Sequence, residues 1–293
     1  MMDVLSVDDL GDDDVDWVLD RARQHKAARM SASALDGAVI GLAFFEASLR
    51  TRTGFAAAAA RLGAHAIEVN ALRSSDVSMP ESTADTLRVL GGYCDVVVVR
   101  ALEPLAIPRG AKVPFINGCD RGPVAEPPAQ AMIGLFARDQ FLGGRDRLCD
   151  LKVAICGDTG MRAARSLLKL LARRPPARLI LVTAPPIEGR YVVPDAIAPV
   201  TEYRSLGDSV DVDVLYVVGM HHAAITGDAR EQLVVTREHL DLLPSEAIVL
   251  SPLPLIDEMT ADAVQHKKVR MFEQSDNGLF VRMALLEFVL SKA

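Results

Sequence analysis

The sequence is poor in the features that usually announce a compartment or a cofactor. Its four cysteines, Cys94, Cys119, Cys149 and Cys156, are scattered without metal-ligand spacing, and three sit in or beside apolar segments. That pattern is expected of reduced thiols in a cytoplasmic protein. No apolar run approaches the roughly eighteen residues of a membrane-spanning helix. Positive charge is not in surplus: the formal net charge is −7, which leaves no electrostatic footprint for nucleic acid or an anionic membrane surface. The N-terminal stretch carries Asp8-Asp9 and Asp12-Asp13-Asp14, the opposite of a secretory leader. Internal repeats and long low-complexity tracts are absent as well. Any anion this chain binds is therefore held by local arginines.

What is present is apolar and alternating. Half of the 293 residues are hydrophobic, enough for two domains with separate cores. After a surface helix over 15–28, strands are expected near 38–45, 65–69, 95–100 and 113–117, with helices near 51–62, 81–91 and 129–137 between or after them. Gly143-Gly144-Arg145-Asp146 marks a junction. A second series has strands near 151–156, 178–183, 212–218 and 247–250, a helix near 162–172, and a closing helix near 279–290. Repeated strand–helix alternation predicts parallel sheets covered on both faces. The expected fold is α/β: two doubly wound parallel-sheet domains, 1–142 and 143–277, with helix 278–293 packing on either and an active-site cleft between domains. Ligands of such sheets sit outside the carboxyl ends of strands. Ser48, Arg50, Thr51, Arg100, Asn117 and Gly157 all fall at or just after such ends.

The segment with the most chemistry is Phe44-Phe45-Glu46-Ala47-Ser48-Leu49-Arg50-Thr51-Arg52. An apolar strand runs into hydroxyls, two arginines and a helix. At that helix N-terminus the unpaired backbone N–H groups and the positive end of the dipole favour an anion, and Arg50 offers phosphate a two-pronged contact. An ordinary capped helix with surface arginines fits the same residue types. Arg100 ends the run Asp95-Val96-Val97-Val98-Val99, where a charge inside the sheet is costly, so it points either into a cleft or to solvent.

Ser-x-Arg-Thr-Arg after Phe-x-Glu resembles the carbamoyl-phosphate signature of the aspartate and ornithine carbamoyltransferases, whose usual form is Ser-Thr-Arg-Thr-Arg. Similar segments recur in family order along nearly the whole chain. The resemblance implies that Ser48, Arg50, Thr51 and Arg100 hold carbamoyl phosphate. It also implies that Gln130, in Glu126-Pro127-Pro128-Ala129-Gln130, faces the carbamoyl amide. Pro127 stands where the family's histidine hydrogen-bonds the carbonyl oxygen, and proline offers no donor. Ser75, Glu81, Ala84, Asp85 and Thr86 match the mobile loop and helix start of aspartate transcarbamylases, with Met79 in place of a substrate-contacting lysine. Pro252-Leu253-Pro254 is similar to the family's Pro-Leu-Pro loop, and the resemblance implies that its backbone carbonyls accept from the carbamoyl amide and the attacking amine. There the resemblance implies a cis Leu253-Pro254 bond.

On the acceptor side, Gly157-Asp158-Thr159-Gly160-Met161-Arg162 follows a strand without forming a dinucleotide fingerprint or a P-loop. By resemblance Arg162 grips an α-carboxylate, a role that suits a planar guanidinium fork. Gly219 occupies the place of the arginine that takes the aspartate side-chain carboxylate, and His221 that of a nearby glutamine. Ser251 and Leu255 replace a histidine and an arginine. The expected activity is carbamoyl transfer from carbamoyl phosphate, or a similar phosphorylated molecule, to an amino-acid-like amine that is not ordinary aspartate. The alternative is a non-catalytic homologue that binds a phosphate-bearing ligand or serves as a structural or regulatory subunit. Neither reading needs a metal or organic cofactor, and the family's trimer implies a homo-oligomer.

Overall fold

A computed structural model describes residues 2–28, 33–70, 82–122, 124–143, 149–184, 193–208, 210–220 and 225–292. In chain order the elements are α1 (Asp12–Ala28), β1 (Val39–Phe44), α2 (Leu49–Arg61), β2 (His65–Asn70), α3 (Thr83–Leu90), β3 (Val96–Arg100), β4 (Phe115–Asn117) and α4 (Pro128–Leu142). There follow β5 (Lys152–Cys156), α5 (Arg162–Arg173), β6 (Arg178–Val182), β7 (Thr201–Arg204), β8 (Val214–Val217), α6 (Asp228–Glu231) and α7 (Arg237–Leu242). The series closes with β9 (Ile248–Leu250), α8 (Ala261–Val264) and α9 (Met271–Ser291). None of the described helices is long and apolar enough to cross a membrane.

The chain divides into two compact units, Met1–Met132 with Asn277–Ala293, and Ile133–Asp276; the boundaries fall inside α4 and α9. The first holds a parallel sheet in the order β2-β1-β3-β4. Its central strands are valine- and leucine-rich and buried on both faces, with Val96 to Val99 inaccessible to solvent, as helix-covered parallel strands require. Leu87 and Leu90 of α3 pack with Val97 and Val99. The aspartates at 12, 13 and 14 form the first turn of α1, where they complement its dipole.

The second unit holds a parallel sheet in the order β7-β6-β5-β8-β9. Helix α5 buries Ala164, Ser166, Leu167, Leu168, Leu170 and Leu171, while its arginines lie half-buried along the other side. The edge strand β7, Thr-Glu-Tyr-Arg, was not expected, because an edge strand that stays half-exposed has no apolar run to betray it. Helix α9 begins at Met271, eight residues before the expected 279, and α4 runs to Leu142 rather than 137. In α4 the charged pair Arg138-Asp139 resembles a polar helix end, yet both residues are buried.

Both sheets reverse direction at one place. In the first the order switches between β1 and β3, in the second between β5 and β8. The crevice outside the carboxyl ends of these strands is where a doubly wound sheet binds ligand.

Candidate anion-binding and active site

In the first unit, Phe44 at the end of β1 lies in register with Arg100 at the end of β3, and the Phe45 N–H donates to the Arg100 carbonyl at 3.0 Å. The sheet's switch point therefore sets the segment after β1 beside Arg100. Ser48 is the N-cap residue of α2, with extended backbone (φ −153°) and no side-chain bond to the helix. The first-turn N–H groups are thus left uncapped by it. Leu49 projects outward, 76 % exposed, whereas Arg50 and Thr51 in the same turn are half-buried. Arg52 turns aside to Glu68 at 3.7 Å, which separates the two arginines of the segment by role.

Arg100 is held by Glu46: its Nε donates to Oε2 at 3.0 Å and its Nη2 lies 2.8 Å from the same oxygen. Arg121 takes the other oxygen of Glu46. Burial, and then the charge of Arg100, hold the pKa of Arg50 below its ordinary value. Two guanidiniums near each other in a partly dehydrated place, one of them braced by Glu46, offer donors suited to an anion with several oxygens.

The loop after β4 is built around buried carboxylates. Asn117 Nδ2 donates to the Leu5 carbonyl and to Asp120 Oδ1, both at 2.9 Å, and Asp120 also accepts from the N–H groups of Leu105 and Glu126. Asn117, placed by the sequence at a ligand-binding strand end, is thus occupied in bracing this loop. Glu126 accepts from Ser6 Oγ and the Val7 N–H, each at 3.0 Å. The anchored loop delivers Pro127 and the first turn of α4, where Gln130 is half-buried and its N–H donates to the Pro127 carbonyl at 2.9 Å.

In the second unit Gly157 leaves β5 with φ +119° and packs against the Val218 carbonyl so closely that a Cβ would strike it. Only glycine suits both demands. Asp158 is buried and accepts from the Gly160 N–H at 2.9 Å, and two residues later Arg162 opens α5. Beyond β9, the Ser251 N–H donates to Gln274 Oε1 at 2.9 Å and Ser251 Oγ accepts from the Leu253 N–H at 3.3 Å. Leu253 has φ +53°, and the Leu253-Pro254 bond is cis, as the resemblance implied. Buried Glu258 ties this loop to the end of β8, accepting from Ile256 at 2.7 Å, Asp257 at 3.2 Å and Met220 at 3.4 Å. A side chain at Gly219 would meet Met161 and Glu258 only at ordinary contact distances, 3.5 and 3.7 Å. His221 and Met79 lie outside the described residues.

Arg50 and Arg100 are thus brought together in one unit with Ser48 and Thr51 beside them, and Arg162 and Pro252-Leu253 follow strand ends of the other. Reasoning from the sequence gave no role to Arg121 or to Arg282, the latter noted only as the end of Asn277-Gly278-Leu279-Phe280-Val281-Arg282, which resembles the ending of aspartate transcarbamylases. The first stands in a loop with no motif of its own, and the second lies in the long apolar α9.

Two doubly wound parallel-sheet units, one of them carrying an arginine-lined helix N-terminus at its switch point, define an α/β protein whose strand ends suit an anionic ligand. The chain belongs to the aspartate/ornithine carbamoyltransferase family. The model of that family's carbamoyl-P binding domain matches residues 2–138, and the model of its Asp/Orn binding domain matches residues 202–289. The aspartate carbamoyltransferase catalytic subunit of Archaeoglobus fulgidus is 31 % identical over 303 residues, covering 99 % of each chain. Among solved structures, the catalytic subunit of M. jannaschii aspartate transcarbamoylase superposes with a TM-score of 0.83 at 26 % identity, over 100 % of this chain and 99 % of that one. Ornithine carbamoyltransferase from Thermus thermophilus superposes with a TM-score of 0.85 at 27 % identity over 98 % of each.

Proposed function

We propose that this chain transfers the carbamoyl group of carbamoyl phosphate to the amine of an amino-acid-like acceptor other than ordinary aspartate. The observation that carries the donor half is the register of β1 with β3 at the switch point of the first sheet, which sets the N-terminus of α2, with Ser48 at its N-cap and Arg50 and Thr51 in its first turn, beside Arg100. In this reading Ser48, Arg50, Thr51 and Arg100 bind the phosphoryl group. Gln130 and the carbonyls of Pro252 and Leu253 orient the carbamoyl amide, and Arg162 takes the acceptor's α-carboxylate.

The amine lone pair attacks the carbonyl carbon and the C–N bond forms. As the tetrahedral intermediate collapses, the bond from carbon to the bridging oxygen breaks. Inorganic phosphate leaves, and the surplus amine proton passes to it. Arg50, Thr51 and Arg100 stabilise the charge that develops on the oxygens. Pro127 contributes no donor to that oxygen, a loss that typically costs about 3 kcal/mol of barrier. An acceptor other than aspartate is favoured by Gly219, which leaves a side-chain carboxylate without its main partner, with His221 nearby in sequence. Pro127 favours a second reading, a chain that binds the donor without turning it over.

The family's trimer and the set of thiols without disulfide pairing support a cytoplasmic homotrimer; a solution mass equal to one chain would contradict the trimer. Calorimetric titration with carbamoyl phosphate tests the donor site. The wild type saturates, and Arg50→Ala, losing a charge-assisted contact of about 1.5–3 kcal/mol, binds roughly ten- to a hundredfold more weakly. Equal binding by the two proteins would refute the assignment of Arg50.

A further inference from the structure

Arg282, in the middle of α9, is 6 % exposed, and its Nε has no hydrogen-bond partner. Among the described residues no carboxylate pairs with it; its guanidinium lies over the ring of Phe55, 5.6 Å from the centroid. A face of an aromatic ring attracts a cation, but it does not replace a counter-ion for a charge removed from water.

The place it occupies was made for it by a glycine. A Cβ on Gly54 would lie 2.6 Å from Nη1, 2.9 Å from Cζ and 3.0 Å from Cδ of Arg282, so any other residue there collides with the arginine. Gly54 is an interior residue of α2, where glycine is among the poorest helix formers. It also stands four residues after Arg50, and residues so spaced share one face of a helix, one turn apart. Arg282 accordingly lies one turn behind Arg50 on the same face of α2. Its pKa is pushed down to about 10, by burial first and by the charge of Arg50 second.

Resting on the donor-site reading above, we propose that Arg282 is a positioning residue of that site: a buried cation behind Arg50, admitted by Gly54, whose countercharge is the phosphoryl group of the bound donor. Its repulsion holds the Arg50 guanidinium forward toward the anion. Its unpaired charge makes the unliganded site electrostatically strained, and an arriving dianion relieves it. Anion binding therefore draws on a charge that never touches the ligand.

The test is a titration of wild type, Arg282→Met, Arg282→Lys and Gly54→Ala with carbamoyl phosphate and, separately, inorganic phosphate, together with the melting temperature of each protein with and without ligand. Arg282→Met is expected to melt no lower than the wild type without ligand, to bind both anions at least tenfold more weakly and to gain less in melting temperature from them. Arg282→Lys restores part of the affinity, and Gly54→Ala, which expels the guanidinium, loses it. A merely structural arginine gives the opposite split, a lowered melting temperature with unchanged affinity, and that result overturns the proposal. Should Arg282→Met fail to fold, unchanged affinity in Gly54→Ala overturns it instead. If the wild type itself binds neither anion, it is the donor-site reading that fails.

Discussion

At the residue scale, charge and burial decide which side chains are available for chemistry. Arg50, Arg52, Arg100, Arg121 and Arg282 are five guanidiniums of the first unit, yet each has a different situation. Arg52 faces Glu68, Arg100 and Arg121 divide the oxygens of Glu46, and Arg282 is enclosed against Phe55. The thiols sort in the same way. Burial pushes the Cys156 thiol up to about 12 and raises Cys94, with the charge of Asp95 adding to the latter; Cys119 is buried and Cys149 is exposed. Since the thiolate is the reactive form, a brief treatment of the native protein with a maleimide is expected to add one label, at Cys149, and denaturant to release the other three. Intact-mass spectra showing rapid native labelling at Cys156 would contradict this packing. Ser48, Arg50, Thr51 and Arg100 were legible as a group because hydroxyls and arginines after apolar runs are conspicuous. Arg282 was not legible: its meaning depends on the missing side chain of Gly54, 228 positions earlier, which only the folded chain brings beside it.

At the element scale, hydrophobic periodicity identified the buried strands and missed what is not buried. Val96–Arg100 and Lys152–Cys156 announce themselves as continuous apolar runs, whereas Thr201–Arg204 does not. Helix ends were displaced where charged residues turn out to be buried, as in α4. The attachment of α9 to α1 includes such a charge, beside the packing of Trp17 on Phe288. Glu287 accepts from Arg21 Nη2 at 3.1 Å, and His25 Nε2 lies 3.3 Å from its other oxygen. Burial alone would raise the pKa of Glu287, but the contacts with His25 and Arg21 outweigh it and bring the group below its ordinary value of 4.5. A depressed carboxylate contributes stability that is present above the unfolded pKa and is lost as pH falls through the folded one. Glu287→Gln is expected to cost about 2 kcal/mol at pH 7, leaving Arg21 without its carboxylate, and to flatten this part of the stability loss below about pH 4.5. Urea denaturation at pH 7 and pH 3.5 checks both; equal destabilisation at the two pH values would show that the pair does not act through charge.

At the scale of the whole molecule, one arrangement is used twice. Each unit is a parallel sheet whose strand order reverses once; Ser48, Arg50, Thr51 and Arg100 in the first and Arg162 and Gly219 in the second end or follow strands that flank the reversal, whereas Gln130 and Pro252-Leu253 follow β4 and β9. The alternation of apolar runs made this architecture readable, and the family resemblance gave the strand ends their chemistry. Acceptor identity was not readable in the same way. In the proposed reading it depends on Gly219 and its neighbours, where the resemblance implies an arginine in the family, and a glycine names no ligand. The donor half predicts that carbamoyl phosphate is used; the acceptor half predicts that aspartate is not the amine it serves best. The most direct measurement is the rate of phosphate release from carbamoyl phosphate across a panel of amino acids and simple amines, aspartate and ornithine included, with the carbamoylated product confirmed by mass. The account predicts release that depends on the enzyme and is fastest with an amine other than aspartate. Fastest turnover with aspartate would contradict the changed acceptor, and binding of carbamoyl phosphate with no release from any amine would contradict transfer itself.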